Sequence, residues 1–366
     1  MKAKKYISAI LAMGMCVSML AQTTQKLTAT KASEYGIIYT LPSTVVDITF
    51  ETETTVKKPG EFYRYAKKHL NTDDAISTET KSTTLKSVTI NVRGVANLNE
   101  RYLMQFKPGT SPFMMLTKDN LPLSINAEDV AFKMPAVTLP KPVGPAPTPL
   151  ETEAAEQVIS GEIAQSQSMS KRAEIAANQL FALRQVRADL LAGDTEEMPP
   201  DGKAFELLLN NLQAQESALL AMFKGTTQTY TSVKTITYTP GDEVENDVLV
   251  RISPVEGIVD AADLAGVPVY ISIKVTEKGE MPVDEKGVPK TFPKGGVAYN
   301  IPGKISLKID YDGKTYCNEE VVSPQHGVVF GIDPKLFVDK KDPIYVLFDP
   351  VSGAIKELGS VKNLSK

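Results

Sequence analysis

A proline-rich segment near the middle of the chain limits the folds that this sequence can adopt. Residues 135–149 read PAVTLPKPVGPAPTP and contain six prolines. Because proline lacks an amide hydrogen and fixes φ, neither a helix nor a central strand runs through such a density of proline. The sequence therefore predicts a stiff, extended linker over residues 129–150, with regions of different pattern on its two sides.

The region before the linker, residues 35–128, has the pattern of antiparallel strands. Val46, Ile48 and Phe50 fall on one face of a period-two pattern, which predicts a strand with one buried face. Apolar residues at helical spacing around Tyr65 predict one short helix. Asp119-Asn120 separates two strand-like runs, as in a hairpin. We therefore predict a first β-rich module here.

The region after the linker, residues 151–225, has the period of helices. Apolar residues recur at steps of three and four, and Gly193 and Gly225 are placed to end two helices. Asp201 offers a side-chain cap for the second helix. We predict an antiparallel helical hairpin, with a seam formed by Leu180, Leu183, Leu208, Leu212 and Leu219. The apolar residues of 151–169 lie outside this seam and need another surface, either a β module or another protein.

The last region, residues 226–366, returns to a strand pattern and forms a second β-rich module. Asp312-Gly313 between two strand-like runs is a strong hairpin signal. The motif GVAYNIP at 296–302 matches GIIYTLP at 36–42, either by chance or because the two modules are related. The predicted fold is α+β: two antiparallel β-rich modules separated by a proline-rich linker and a helical hairpin.

The first residues have the pattern of a secretory signal peptide. Three lysines precede an apolar run, and Ala21-Gln22 is a suitable cleavage site. Residues 1–21 would then be removed, and residues 22–34 would form an N-terminal tail. Met15 stands before Cys16 where a lipidation site requires a small residue, so we expect no acyl chain. We expect export to the periplasm or the outer membrane of a Gram-negative cell, without a transmembrane span in the mature chain.

The charge of the mature chain argues against nucleic acid as a partner. Removal of residues 1–21 takes away three lysines, so the net charge becomes (40 − 3) − 44 = −7. An acidic protein has no general attraction to phosphate backbones. Cys317 is then the single cysteine, so the fold depends on its core and not on a disulfide.

Motifs for catalysis, metals and cofactors are absent from the sequence. His69 and His326 lie far apart, and no His or Cys pair has the spacing of metal ligands. Cys317 and His326 are nine residues apart and could form a Cys–His pair, although a strand cysteine more often packs as a small apolar residue. The acidic stretch 242–247 is either a solvated turn or a calcium site. We predict no enzyme, metal or cofactor, although a carboxylate pair for glycoside hydrolysis would leave no local motif.

Two loops are candidate binding sites. The first is the tip of the helical hairpin, which consists of Met198, Pro199, Pro200, Asp201 and Gly202. The second contains Gln325 and His326 in the sequence PQHG. The simpler interpretation of the first loop is a helix connection, and that of the second loop is a turn. We favour the hairpin tip, because two helices hold it away from the body of the protein.

Several segments together resemble a known family. These are GIIYTLP, KPGEFYRYAKKHL, the two helices with their PPDG connection, GVAYNIP and PQHGVVFGI. They are similar, in the same order, to an uncharacterised family of secreted proteins from Bacteroidota that is described as a domain of unknown function. The chain differs from the family pattern at His326, where an apolar or aromatic residue is expected. The resemblance implies export and this β–helix–β layout, and it implies no catalytic residues.

These observations lead to two functional hypotheses of different classes. The first is a non-enzymatic, exported cell-envelope protein that binds another protein or an envelope component. The second is a glycan-directed protein, either a binding module or a hydrolase. An envelope protein is the partner that we favour, and a glycan is the alternative.

Overall fold

The computed structural model of the protein describes residues 23–26, 36–105, 112–128, 137–159, 163, 165–194, 202–339 and 341–363. The strands are β1 (Thr23–Lys26), β2 (Ile37–Lys58), β3 (Thr80–Gln105), β4 (Met114–Leu116), β5 (Pro122–Ile125), β6 (Thr226–Tyr238), β7 (Val244–Ser253), β8 (Gly257–Asp260), β9 (Val267–Glu277), β10 (Val297–Tyr311), β11 (Lys314–Ile332), β12 (Ile344–Phe348) and β13 (Ile355–Ser360). The helices are α1 (Ala66–Leu70), α2 (Glu153–Val158), α3 (Met169–Ala192) and α4 (Gly202–Lys224). Among these residues, no helix has both the length and the apolar character that a membrane span requires.

Two antiparallel sheets pack face to face and enclose the main core. Their strand orders are β1-β3-β2-β6 and β11-β10-β9-β7-β8. The predicted inner face of β2 is confirmed, because Val46, Ile48 and Phe50 are all fully buried against residues such as Ile271 and Leu307 of the second sheet. The hairpin at Asp312-Gly313 is confirmed as well, and both residues have the positive φ that such a two-residue turn needs.

A third sheet joins the two β-rich regions. Its order is β13-β12-β5-β4, and Val346 of β12 pairs with Ile125 of β5. In addition, β6 begins at Thr226, in the second β-rich region, and pairs with β2 along its whole length. The predicted boundaries at residues 128 and 226 therefore do not separate independent sheets. A period-two pattern marks a strand, but it does not determine which distant strand will be its neighbour.

The repeated sequence motif coincides with a repeated irregularity of the backbone. Near Pro42 the register of β2 with β3 passes from Thr40↔Arg101 to Pro42↔Ala96, and residues 97–100 are skipped. Near Pro302 the register of β10 with β11 passes from Ile301↔Val328 to Gly303↔Ser323, and residues 324–327 are skipped. Each bulge accommodates a proline that cannot donate to the ladder.

The two repeats also make equivalent contacts with the hairpins that follow them. The amide of Thr40 donates to the carbonyl of Asn120 at 2.9 Å, in the turn between β4 and β5. The amide of Asn300, at the matching position of the second motif, donates to the carbonyl of Gly353 at 3.0 Å, in the turn between β12 and β13. This agreement of sequence, bulge and contact favours a true duplication over a chance similarity.

The helical region forms a small bundle with its own core. As predicted, α3 and α4 pack as an antiparallel pair, and Leu180, Leu212 and Leu219 are buried. Leu208 differs from the prediction, because it is exposed on the distal part of α4. The cap of α3 is Ser168, whose Oγ accepts from the amide of Lys171.

The short helix α2 carries apolar residues that lie outside the predicted seam. Ala155 and Val158 are buried in the helical core, together with Ile163. They pack against the two long helices in a cluster that also contains Phe62 and Ala66 of the first β-rich module. The surface that covers these residues is thus the helical pair together with the loop between β2 and β3 of the first module, whereas Ile159 is 45% exposed.

The loop between β2 and β3 holds the end of α4. The amide of Phe62 donates to the carbonyl of Met222 at 2.7 Å, and the rings of Phe62 and Phe223 lie 5.5 Å apart. A side chain at Gly60 would collide with the carbonyls of Ala221 and Met222. The motif KPGEF thus forms a close backbone contact with the root of the hairpin, and this contact requires glycine.

The described part of the proline-rich linker, from residue 137, lies along the outer edge of β6. The amide of Thr231 donates to the carbonyl of Val143 at 2.9 Å, and the amide of Val143 donates to the hydroxyl of Thr231 at 3.0 Å. Gln228 donates its side-chain amide to the carbonyl of Ala146 at 3.0 Å. The predicted extended linker therefore covers a sheet edge that would otherwise be open to pairing.

Candidate functional site

The distal end of the helical hairpin carries exposed leucines. Residues 198–201 of the predicted tip lie outside the described residues, and Gly202 is the first residue of α4. Close to this tip, Leu191 is 63% exposed and Leu207 is 72% exposed. We define the distal surface as Val186, Leu191, Leu207 and Leu208, all of which are exposed. No residue from 202 to 211 is buried.

The root of the hairpin is held firmly in place. The guanidinium of Arg172 lies 2.6 Å from a carboxylate oxygen of Glu61, and it also lies over the ring of Phe62. Further along the pair, Arg187 Nε lies 3.3 Å from Oε1 of the buried Glu216, without the geometry of a hydrogen bond. The attraction there is coulombic. The residues of α4 that precede Leu212, 202–211, form the distal part of the helix. They correspond to roughly 15 Å of projecting helix.

The second predicted site, PQHG, lies inside the continuous strand β11 and forms its bulge. Gln325 Nε2 donates to the carbonyl of Thr44 at 2.6 Å, and Gln325 Oε1 accepts from the amide of Thr44 at 3.1 Å. Nδ1 of His326 lies 2.8 Å from the hydroxyl of the buried Ser323. Both side chains therefore bond within the protein, and the motif connects β11 to β2.

Buried polar groups extend this connection between the two repeats. Asn300 Nδ2 donates to the carbonyls of Pro42 at 3.1 Å and Ser352 at 2.9 Å. The hydroxyl of Tyr39 donates to the carbonyl of Ala298 and accepts from its amide at 2.8 Å. Burial raises the pKa of Tyr39 well above its usual range. The residues of both motifs thus form a fixed junction between the two β-rich regions.

A polar cleft lies at the open end of the sandwich, where the inner face of the first sheet extends past the second. Its volume is about 230 Å³. Its floor contains the buried side chains of Thr52, Thr54 and Thr83. Its walls are formed by Lys81 of β3, by Tyr230, Ser232, Val233 and Lys234 of β6, and by Glu256, Gly257 and Ile258 at the start of β8. The sequence carries no signal for this site, because its residues come from four separate segments without a shared motif.

Cys317 does not form a nucleophilic pair with His326. Cys317 is a buried free thiol opposite Ile309, and burial raises its pKa to about 11. His326 lies in the bulge beyond Ser323, roughly 20 Å or more along the same strand. A catalytic thiol is activated by a lowered pKa or by an adjacent base, and Cys317 has neither from His326.

The acidic stretch at 242–247 is engaged with the backbone. Glu243 Oε1 accepts from the amide of Val275 at 2.7 Å, and Asp247 accepts from the amide of Val248. In the part of the chain that the structure describes, no group of three or more His, Cys, Asp or Glu side chains is arranged to hold a metal ion.

The architecture defines a class of protein: a β-sandwich with a repeated strand motif and an inserted helical hairpin. The family described as Domain of unknown function (DUF4831) matches residues 35–356, so the chain belongs to this family. The match covers the described sheets and helices from β2 into β13. Neither a curated protein nor a solved structure matches the chain.

Proposed function

We propose that the protein is a non-enzymatic, exported binding scaffold whose helical hairpin docks another envelope protein. The observation that carries the proposal is the exposure of Leu191 and Leu207 on a projecting arm with a rigid root. Apolar side chains on a rigid support are the usual anchors of protein interfaces, because little conformational entropy is lost when they bind.

The chemistry of the partner follows from the residues around the distal surface. The connection between the helices reads DTEEMPPD and carries four acidic residues together with one methionine. A partner with an apolar groove and a basic rim complements both features. Rim charges of this kind accelerate association and make it sensitive to salt.

The test is a pulldown from envelope extract with a double variant, Leu191→Ser with Leu207→Ser. Leu264→Ser is the matched control, because Leu264 is 82% exposed in the loop between β8 and β9. We expect a partner that the wild-type and control proteins capture and the double variant does not. A partner set that is identical for all three proteins would contradict the proposal.

A second variant tests the tip itself. Met198→Glu with Pro199→Ser leaves Asp201 available as a helix cap, so we expect normal folding and a lost partner. If this variant and the leucine variant both keep every partner, the interface lies elsewhere and the hairpin proposal is wrong.

Glycan binding is the second candidate function, and the polar cleft is the observation that favours it. Hydroxyl groups of Thr52, Thr54 and Ser232 line a concave site beside the ring of Tyr230. This combination suits a ligand that presents both hydroxyl groups and an apolar ring face.

A further inference from the structure

We propose that the polar cleft binds one carboxylated sugar residue, a hexuronate unit of an acidic glycan. This inference rests on the second candidate function and is independent of the hairpin, because the cleft and the distal surface share no residue. A cavity needs only about 10–15 Å³ to hold one water. The cleft, at about 230 Å³, therefore has room for a ring-sized ligand.

The floor of the cleft offers hydrogen bonds to hydroxyl groups. Thr54 Oγ1 and Thr83 Oγ1 lie 2.9 Å apart, so one of their two hydroxyl protons is used between them. The other proton and the remaining lone pairs stay free to bond a ligand. Thr52 Oγ1 makes only a long bond, of 3.4 Å, to the carbonyl of Ser232. Buried hydroxyls with unused capacity gain from a ligand that restores their hydrogen bonds.

The walls of the cleft indicate that the ligand carries one negative charge. Lys81 has no ion-pair partner among the residues whose positions are described, and Lys234 lies 3.6 Å from Asp260, whose side chain is 93% exposed. Such a solvated pair is weak. Two lysines line the same cavity. Their positive charge attracts an anion, and a neutral sugar would leave this attraction unused.

Glu256 distinguishes a carboxylated sugar from a phosphate. It lines the same cavity as Lys81 and Lys234, and a phosphate with nearly two negative charges would be repelled by it. A hexuronate has one carboxylate for the lysines and several hydroxyl groups that can donate to Glu256. The ring of Tyr230 provides a surface for the apolar face of the sugar.

The test is saturation-transfer NMR and titration with D-glucuronate and D-galacturonate, compared with D-glucose, D-galactose and inorganic phosphate. We expect binding of at least one uronate, with weaker binding of the neutral sugars and of phosphate. Lys81→Met and Lys234→Met should each weaken uronate binding by about tenfold, since each removes a charge-assisted hydrogen bond.

The control variant is Lys57→Met, because Lys57 is exposed and lies on the opposite face of β2 from Thr54. It makes the same charge change and should leave binding unchanged. Thr54→Val removes a floor hydroxyl at constant volume and should also weaken binding, provided that its melting curve shows a folded protein. Absence of uronate binding, or equal binding by the wild type and both cleft lysine variants, would overturn the proposal. Either result leaves the hairpin proposal intact, because that proposal is read out by protein capture.

Discussion

The side-chain amide of Gln325 forms hydrogen bonds with both backbone groups of Thr44. Nε2 donates to the carbonyl at 2.6 Å, and Oε1 accepts from the amide at 3.1 Å. Thr44 is fully buried, and its own hydroxyl donates to the carbonyl of Val351 at 3.3 Å. One side chain of β11 therefore satisfies the backbone of a residue that lies 281 positions earlier in the chain.

We expect Gln325→Ala to destabilise the protein by about 2–4 kcal/mol, because it leaves a buried amide and a buried carbonyl without partners. Gln325→Glu should also destabilise, since a carboxylate would face the carbonyl of Thr44. Urea unfolding measures the change. Gln213→Ala makes the same truncation on the exposed surface of α4 and should change stability by only a few tenths of a kcal/mol. An equal effect of the two alanine variants would show that the junction contributes little.

Leu212→Asp should destabilise the helical bundle by several kcal/mol, because Leu212 is buried and the new carboxylate would lack a partner. Leu207→Asp introduces the same group on the same helix, but at a position that is 72% exposed. We expect its melting temperature to be close to that of the wild type. Equal melting temperatures of the two variants would show that the packing of α4 differs from that described.

Asp47 should make the protein more stable above pH 4 than below it. Hydrogen bonds from Arg93, foremost, and from Thr237 hold the pKa of its carboxylate below the ordinary value. Because the folded state favours the charged form, this stabilisation is present above the unfolded pKa, near 4, and is lost as pH falls through the folded pKa. Asp47→Asn should destabilise by about 1–2 kcal/mol at neutral pH and should reduce the acid sensitivity.

Unfolding as a function of pH measures this contribution. The control is Asp242→Asn, which makes the same charge change in an exposed loop. A stability profile of Asp47→Asn that runs parallel to the wild type down to pH 2 would contradict the assignment.

Cys317 should react slowly with a thiol reagent in the folded protein at pH 8. Burial raises its pKa to about 11, so the reactive thiolate is scarce as well as inaccessible. The same shift predicts a loss of stability as pH rises from about 8.5, where the unfolded thiol ionises, to about 11. The Cys317→Ala variant should not show this part of the loss of stability at alkaline pH. Rapid labelling of the native protein would show that β11 opens readily at this position.

The natively purified protein should begin at Gln22 and carry no acyl chain. The lysine-rich start and the apolar run before Ala21 are the basis of this expectation. Intact mass spectrometry measures both the position of the N-terminus and any acyl modification. A diacylglyceryl group on Cys16 would instead place the protein on a membrane surface.

Local features of the fold were predictable from the sequence, whereas strand neighbours were not. The burial of Phe50, the turn at Asp312-Gly313 and the end of α3 at Gly193 follow from period, turn chemistry and positive φ. The pairing of β2 with β6 and of β5 with β12 depends on contacts between distant segments, which leave no local pattern.

The same difference explains the candidate sites. The sequence indicates Gln325 and His326 as a candidate binding loop, but it does not indicate that Thr44 is the partner of Gln325. The lysines and threonines of the cleft resemble ordinary surface and strand residues, and only their assembly from four segments distinguishes them.

The pairing of β2 with β6 has a consequence for the order of folding. Val46 pairs with Tyr238 and Lys58 with Thr226, so this ladder closes only after nearly two-thirds of the chain has been synthesised. Contacts of such large sequence separation must overcome a high loop-closure entropy, and folding is slow where they dominate. The helical bundle has mostly local contacts and can form early, with its root ready to hold the β2–β3 loop. During the delay, the edge of β2 that later receives β6 is exposed, which makes this edge the point where a newly synthesised chain is most open to mispairing.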